Sequence, residues 1–466
     1  MIVSRLDWDA CVGATDGNVL QKGAISGIQG VSTDSRSVDT GEAFVALSGE
    51  RFDGHRFVRV ALEAGASGIV IEKGRWGSLE LPDHNDYWVV EVDDSLKALG
   101  DLARTVRRMW GGTVVGITGS AGKTTSKELL GATLSAKAPV HLTPGNWNNR
   151  IGVPLTLFQL GDEEIAIIEM GTNEPGEIAE LARIAEPNVG WITNVGAAHL
   201  EGLGSLEGVA SEKGAMFHGV SEGGAIVVNL DDARVAEQAS HVDFRRLTYG
   251  TRSGADIQLQ SVSVPAAGEL NIALSYAGET SEVRLAGIGE HMGLNLAGAL
   301  ASALSVGVTW EDALAGAAKF TAPSKRMNLR LVAGIHVLDD CYNANPTSTR
   351  AALQAFTDLG EAGKRFAVLG DMLELGEDSE LFHRELGQET AELNLDGLIS
   401  VGMYGVEMAE GASKGGATFP VWPVANAHDA YDVLKAHVSP GDWVLVKGSR
   451  GVRLETVIEG LEKGGR

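Results

Sequence analysis

The segment GITGSAGKTT, from Gly116 to Thr125, carries the residue types needed to grip a polyphosphate. Gly119 and Gly122 bracket a turn whose backbone N–H groups can converge on phosphate oxygens; Lys123 supplies a point charge and Thr124 a hydroxyl for Mg2+. Ser120, Ala121 and Thr125 complete the loop and the first turn of the helix that it must open. The usual pattern has glycine five positions before the Gly-Lys pair; that position is Ile117 here, with Gly116 and Gly119 on either side. A nucleoside triphosphate is the expected ligand. Glu169 closes a second apolar run, EIAIIE, where a carboxylate is costly unless it meets a cation or a donor. A Mg2+ shared with the β- and γ-phosphates would meet it. His199 reads by itself as a loop histidine, and Lys213, in EGVASEKGAMF, as a solvated lysine on a helix. No Ser/His/Asp or Cys/His arrangement emerges, so catalysis through a protein nucleophile is not expected.

The elements that must position these residues follow from pattern. TVVGITG before the glycine turn is β-branched and apolar, and KTTSKELLGATLSA after it has the helical spacing of Leu129, Leu130 and Leu134. EIAIIEMG, VGWITNVG and GAIVVN are continuous apolar runs, as expected of strands covered on both faces, so a parallel sheet is predicted. Upstream, AFVALSG, SGIVIE and YWVVEV with the helical HRFVRVALEAG form a small α/β unit that ends near the basic helix DLARTVRRMW. Downstream, IHVLDD, RFAVLGD, LDGLISVG and DWVLVKG alternate with helical segments, the pattern of a second doubly wound sheet. The expected architecture is α/β with three domains: residues 1–108, a central P-loop domain over 109–325, and a Rossmann-like domain over 326–466, with FTAPSKRMNLR as hinge.

Composition narrows the partners. The 466 residues carry 38 Lys plus Arg against 62 Asp plus Glu, and a net charge of −24 repels nucleic acid and anionic lipid. Cys11 and Cys341 lack metal or disulfide spacing, and the start, MIVSRLDWDACVG, is too charged for a secretory signal, so a cytoplasmic protein is expected. Met292 to Trp310 is uncharged but diluted by Ala, Gly, Ser and Asn, and is read as a buried helix rather than a membrane span.

The GITGxxGKTT form resembles the Mur ligase family, the ATP-dependent amide-forming enzymes of peptidoglycan precursor synthesis, and their folylpolyglutamate synthetase relatives. TPGNWNNRIGVPLTL, IEMGTNEPGEIAELA, NVGAAHLEGLGSLEGVASEKGAMF, GEHMGLN, DDCYNANPTST, LGDMLELGE and VLVKGSRGVRLE are similar to family segments in family order. The resemblance implies Thr124, Glu169, His199 and Lys213 at two Mg2+ sites, with Lys213 carbamylated. It implies Asn295 on adenine, Arg326 on the γ-phosphate and Asp340 on the ribose. Ser35, Arg36 and Arg51 are expected near the uridine diphosphate, and Asn146, Asn148 and Asn149 along the muramoyl path. Lys123, Lys213, His199 and Arg326 carry the catalytic expectation.

YNANP and GDMLELG are similar to the family member that joins D-alanyl-D-alanine to a UDP-N-acetylmuramoyl-tripeptide through an acyl phosphate, with a monomer expected. The alternatives are the family member that adds the third amino acid, whose last domain would carry a D-N-P-R type string where NANP stands here, a P-loop kinase, and a non-enzymatic nucleotide switch.

Overall fold

A computed structural model describes residues 2–49, 52–79, 81–82, 86–322, 325–359 and 362–464. Among these, three large sheets follow one another along the chain. The first has the order Asn18–Gln21, Trp88–Val92, Gly68–Glu72, Ala43–Val45, Val31–Ser32, parallel except for its first pair. Helix Ser95–Trp110 leads out of it, capped by Asp94, which accepts from the Leu96 and Lys97 N–H groups, and terminated by Gly111 at φ 71°. The expected division at 108/109 falls inside the last turn of this helix. Its basic residues fasten the first sheet to the second. Arg107 is buried and donates to the Ala185 and Glu186 carbonyls at 2.9 and 3.2 Å and to Asn188 Oδ1 at 3.0 Å, while Arg104 and Arg108 share the Glu186 carboxylate.

The second sheet has nine strands, in the order Glu279–Ala286, Glu269–Tyr276, Ile257–Ala266, Arg245–Gly250, Ala225–Asn229, Val189–Ile192, Thr113–Thr118, Ile165–Glu169, Val140–Leu142. Thr113–Thr118 lies between Ile165–Glu169 and Val189–Ile192, with all three parallel. The loops after them therefore open side by side at the carboxyl edge, where open α/β sheets bind ligands. The sheet is mixed rather than wholly parallel: Ile257–Ala266, Glu269–Tyr276 and Glu279–Ala286 form an antiparallel meander. The physical reason is alternation. Leu270, Ile272 and Leu274 are fully buried while the residues between them are not, so one face packs inward and no continuous apolar run exists to mark the strand. The uncharged stretch forms helix His291–Ser305, buried against this meander and the P-loop helix Lys123–Leu134. No helix among the described residues is long and apolar enough to cross a membrane.

The third sheet has the order Asn328–Val332, Ile335–Asp340, Trp443–Lys447, Arg365–Gly370, Gly397–Val401, Val421–Val424, parallel except for its first pair. Part of the segment expected as hinge is thus an edge strand beginning at Asn328; Pro323 and Ser324 lie outside the described residues.

Candidate functional site

The glycine turn leaves strand Thr113–Thr118 and enters helix Lys123–Leu134 through Gly119 at φ 151° and Gly122 at φ 79°. Any Cβ at Gly119 would collide with the Thr193 hydroxyl, so two demands, backbone and space, both require glycine there. The next strand's loop braces the turn. The Ala121 N–H donates to Asn194 Oδ1 at 2.9 Å, Thr193 Oγ1 donates to the Ala121 carbonyl at 2.7 Å, and Ser120 and Gly196 exchange hydrogen bonds at 2.9 Å. From the third sheet's unit, Asn345 Nδ2 donates to the Ser120 carbonyl at 3.1 Å.

Lys123 Nζ reaches the Gly119 carbonyl at 2.6 Å. Burial pushes its pKa below the usual lysine range; nearby Glu169 opposes that shift and Arg326 adds to it. Glu169 is 1% exposed, and its carboxylate accepts from Thr124 Oγ1 at 2.9 Å and Asn148 Nδ2 at 2.8 Å. Thr124 and Glu169, two of the four residues expected at the Mg2+ sites, thus lie together. Among the described residues no group of three or more His, Cys, Asp or Glu could hold a metal by itself. A hydroxyl and one carboxylate beside a phosphate turn fit Mg2+ arriving with the nucleotide, because this ion completes its shell with phosphates and water.

His199 has left-handed backbone, φ 57°, and its Nδ1 lies 2.6 Å from Oε2 of Glu374, which is itself at φ 64°. The hydrogen bond to His199 holds the Glu374 carboxyl below the usual range. The solvated reading of Lys213 is overturned. Helix Leu206–His218 packs on both sides, with Glu212 turned in to accept from the Gly176 and Ile178 N–H groups, and Lys213 beside it is fully buried. Lys213 Nζ has no hydrogen-bond partner among the described residues. Desolvation first, and the charge of Lys123 second, push its pKa well below the ordinary value.

A cavity of about 480 Å³ gathers the turn from Ser120 to Thr125 with Asn146, Asn148, Asn149, Glu169, His199 and Asn295, and with Arg326 and Asp340 from the third unit. Asn295 packs against Gly122, which a Cβ would bring to 3.1 Å from its Oδ1. Asn149 Oδ1 also accepts from the Gly152 N–H at 2.8 Å, at the start of helix Gly152–Phe158. Asp340 accepts from Lys447 Nζ at 2.6 Å and from the Met327 N–H at 3.1 Å. Gly119 and Lys213 do not line the cavity, nor do Ser35, which is buried, and Arg36, which is exposed and paired with Asp34 at 2.6 Å. Arg51 lies outside the described residues. Sequence reasoning missed Asn194, Tyr342, Asn345, Glu374 and Lys447. Lys447 carried a signal: a charge closing the apolar run DWVLVK is the same anomaly that marked Glu169.

A phosphate turn at a parallel strand's end, closed by a second α/β unit that brings its own cation, defines a P-loop enzyme working at a seam. The chain belongs to the Mur ligase family. Residues 27–107 match the Mur ligase family catalytic domain, 117–303 the Mur ligase middle domain and 325–450 the Mur ligase glutamate ligase domain. It is 37% identical over 436 residues, 93% of each chain, to the UDP-N-acetylmuramoyl-tripeptide–D-alanyl-D-alanine ligase of Bacillus subtilis. It is 35% identical to the enzyme of that name in Escherichia coli, over 95% of this chain and 96% of that one. Crystal structure I of MurF from Acinetobacter baumannii superposes with TM-score 0.87 at 33% identity, covering 97% of this chain and 98% of that one. MurF from Thermotoga maritima in complex with ADP gives 0.81 at 32%, covering 93% and 97%.

Proposed function

We propose that this chain joins D-alanyl-D-alanine to UDP-N-acetylmuramoyl-tripeptide with hydrolysis of ATP to ADP and phosphate. The observation that carries the reading is the presence of Lys123, on the helix after the phosphate turn, and Arg326, leading into the third sheet, in one cavity that also holds Thr124 and Glu169. A carboxylate is a poor electrophile at neutral pH. Its oxygen attacks the γ-phosphorus, ADP leaves, and the acyl phosphate now offers phosphate as leaving group; the amine adds, forms the amide and expels inorganic phosphate. Lys123 and Arg326 hold the phosphoryl oxygens throughout, and no residue forms a bond to substrate. Bound Mg2+ supplies charge neutralisation at the β- and γ-phosphates, with Thr124 and Glu169 as its protein ligands.

His199 and Lys213 are assigned to the second Mg2+ site, Lys213 as its carbamate. A buried, unpartnered amine whose pKa is pushed well below the ordinary lysine value gives up its proton more readily and so can take up CO2, and the anion so formed would face the Lys123 charge. Asn295 meets adenine and Asp340 the ribose hydroxyls; Ser35, Arg36 and Arg51 serve the uridine end, and Asn146, Asn148 and Asn149 the muramoyl path. The units divide near 108 and 325, and the enzyme works as a monomer in the cytoplasm, where ATP and the UDP-linked precursor are made.

The test is ADP release with the UDP-tripeptide alone, with the dipeptide alone and with both, alongside mass detection of the UDP-pentapeptide. Dependence on both substrates with pentapeptide formed is expected. Release with a single acceptor and no pentapeptide would return the kinase reading, and tight ATP binding indifferent to both peptides the switch.

A further inference from the structure

We infer that Tyr342 positions Arg326, and through it sets the preference of the site for a nucleoside triphosphate over a diphosphate. The inference rests on the proposed reading that Arg326 meets the terminal phosphate. The Arg326 guanidinium carbon lies 4.1 Å from the centroid of the Tyr342 ring. Among the described residues no ion pair or hydrogen bond engages that guanidinium, so the aromatic face steers it while its N–H donors stay open to an anion.

The backbone around Arg326 is unusual in a way that fits this task. Lys325 and Met327, on either side of it, both occupy the left-handed region, at φ 58° and 51°. Side chains other than glycine persist there only where surrounding contacts impose the conformation. The contacts are present: Met327 donates its N–H to Asp340 Oδ1 at 3.1 Å, and Lys325 Nζ lies 3.6 Å from Glu455. The strap is thus pinned on both sides of the residue it presents.

What makes Tyr342 more than a platform is where its own loop is anchored. Three residues on, Asn345 caps helix Pro346–Thr357 and donates across the seam to the Ser120 carbonyl of the phosphate turn. The ring under Arg326 is therefore referenced to the turn that carries Lys123. Both cations then line the same cavity, Lys123 from the turn and Arg326 from the strap, and a diphosphate leaves Arg326 nothing to hold.

The test is equilibrium binding of ADP and of a non-hydrolysable ATP analogue, each with Mg2+, to the full-length wild type and to R326A, Y342A, Y342L, Y342F and R326A/Y342A, with far-UV circular dichroism confirming the fold. Y342F, which keeps the ring, should bind both like wild type, and the double variant should be no weaker than R326A. Equal weakening of both nucleotides would mean a structural role for Tyr342 and overturn the inference. So would loss of analogue binding in R326A without loss in Y342A or Y342L. If R326A itself leaves the ratio unchanged, the assignment of Arg326 to the terminal phosphate is what fails.

Discussion

The pair Lys447–Asp340 offers the most exacting check on the seam. The strands Ile335–Asp340 and Trp443–Lys447 are parallel neighbours whose register sets these two residues side by side. Lys447 is 2% exposed and Asp340 8%, with the ammonium 2.6 Å from one carboxylate oxygen and 3.0 Å from the Asn343 carbonyl. Replacing Lys447 by Met fills the same volume but leaves a buried carboxylate with only the Met327 N–H. Breaking a desolvated pair from one side costs about 3–5 kcal/mol, because the remaining charge is buried and uncompensated. At about 2–4 °C per kcal/mol for a unit of this size, the transition of the third unit should fall by roughly 6–20 °C. K447M/D340N removes both charges and should recover most of that loss, so the double-mutant cycle should show coupling of about 2 kcal/mol or more. Both singles should also raise the KM for ATP, since Lys447 and Asp340 line the nucleotide cavity. Thermal and urea melts followed by circular dichroism, with ATP kinetics alongside, supply the data. Single-variant losses below about 1 kcal/mol, or strictly additive ones, would refute the claim that this is a desolvated and coupled pair.

Further outcomes follow from the same structure. G119A puts a Cβ into the Thr193 hydroxyl at a backbone angle L-residues avoid, so ATP binding by calorimetry should be lost while the uridine-nucleotide precursor still binds. K213A should lose turnover by more than about a hundredfold and regain part of it with added short carboxylic acids; full activity without rescue would remove Lys213 from the site. Burial pushes the Cys11 thiol up to about 12, so it should resist alkylation at pH 8.5 in the native protein and react at once in denaturant. The sign for stability follows: the unfolded thiol ionises near 8.5, so the contribution present below that value is lost as pH rises from there through about 12, and C11A should flatten that alkaline decline in a pH series of melts.

The parts of the site legible in the sequence are those where a single residue breaks a strong local rule. A glycine turn between an apolar strand and a helix admits few readings, and a carboxylate ending a buried strand needs a partner; Lys123, Thr124 and Glu169 were found that way. His199, Lys213, Asn295 and Arg326 break no such rule, and only resemblance to a family picked them out. Lys213 shows why. Its helix carries no apolar stripe that would mark one face as buried, and its burial is decided by packing from elements distant in the chain, which local periodicity does not encode. The antiparallel meander was missed for a related reason, its apolar residues being spaced at every second position rather than in runs.

The two junctions between units are built from different physics, and that difference bears on mechanism. Helix Ser95–Trp110 joins the first sheet to the second through continuous backbone, and Arg107 is sunk into three acceptors behind it; separating these units would strand a buried cation and its partners. The third unit meets the second through a few polar contacts and through one buried apolar cluster that holds Ala344, Met372 and Leu375 together with Val195, Leu200 and Leu203. Asn345 reaches Ser120, the half-exposed Glu374 side chain reaches His199, and the Glu201 N–H donates to the Glu374 carbonyl at 3.2 Å. The Asn345 bond is buried, whereas the exposed Glu374 pairing is the kind that costs little to break. The cations divide between the two units, with Lys123 opening the phosphate-turn helix and Arg326 just before the third unit's edge strand. On the proposed assignment of these two residues, charge on a transferring phosphoryl is met from both sides only while the third unit is docked, so docking completes the site.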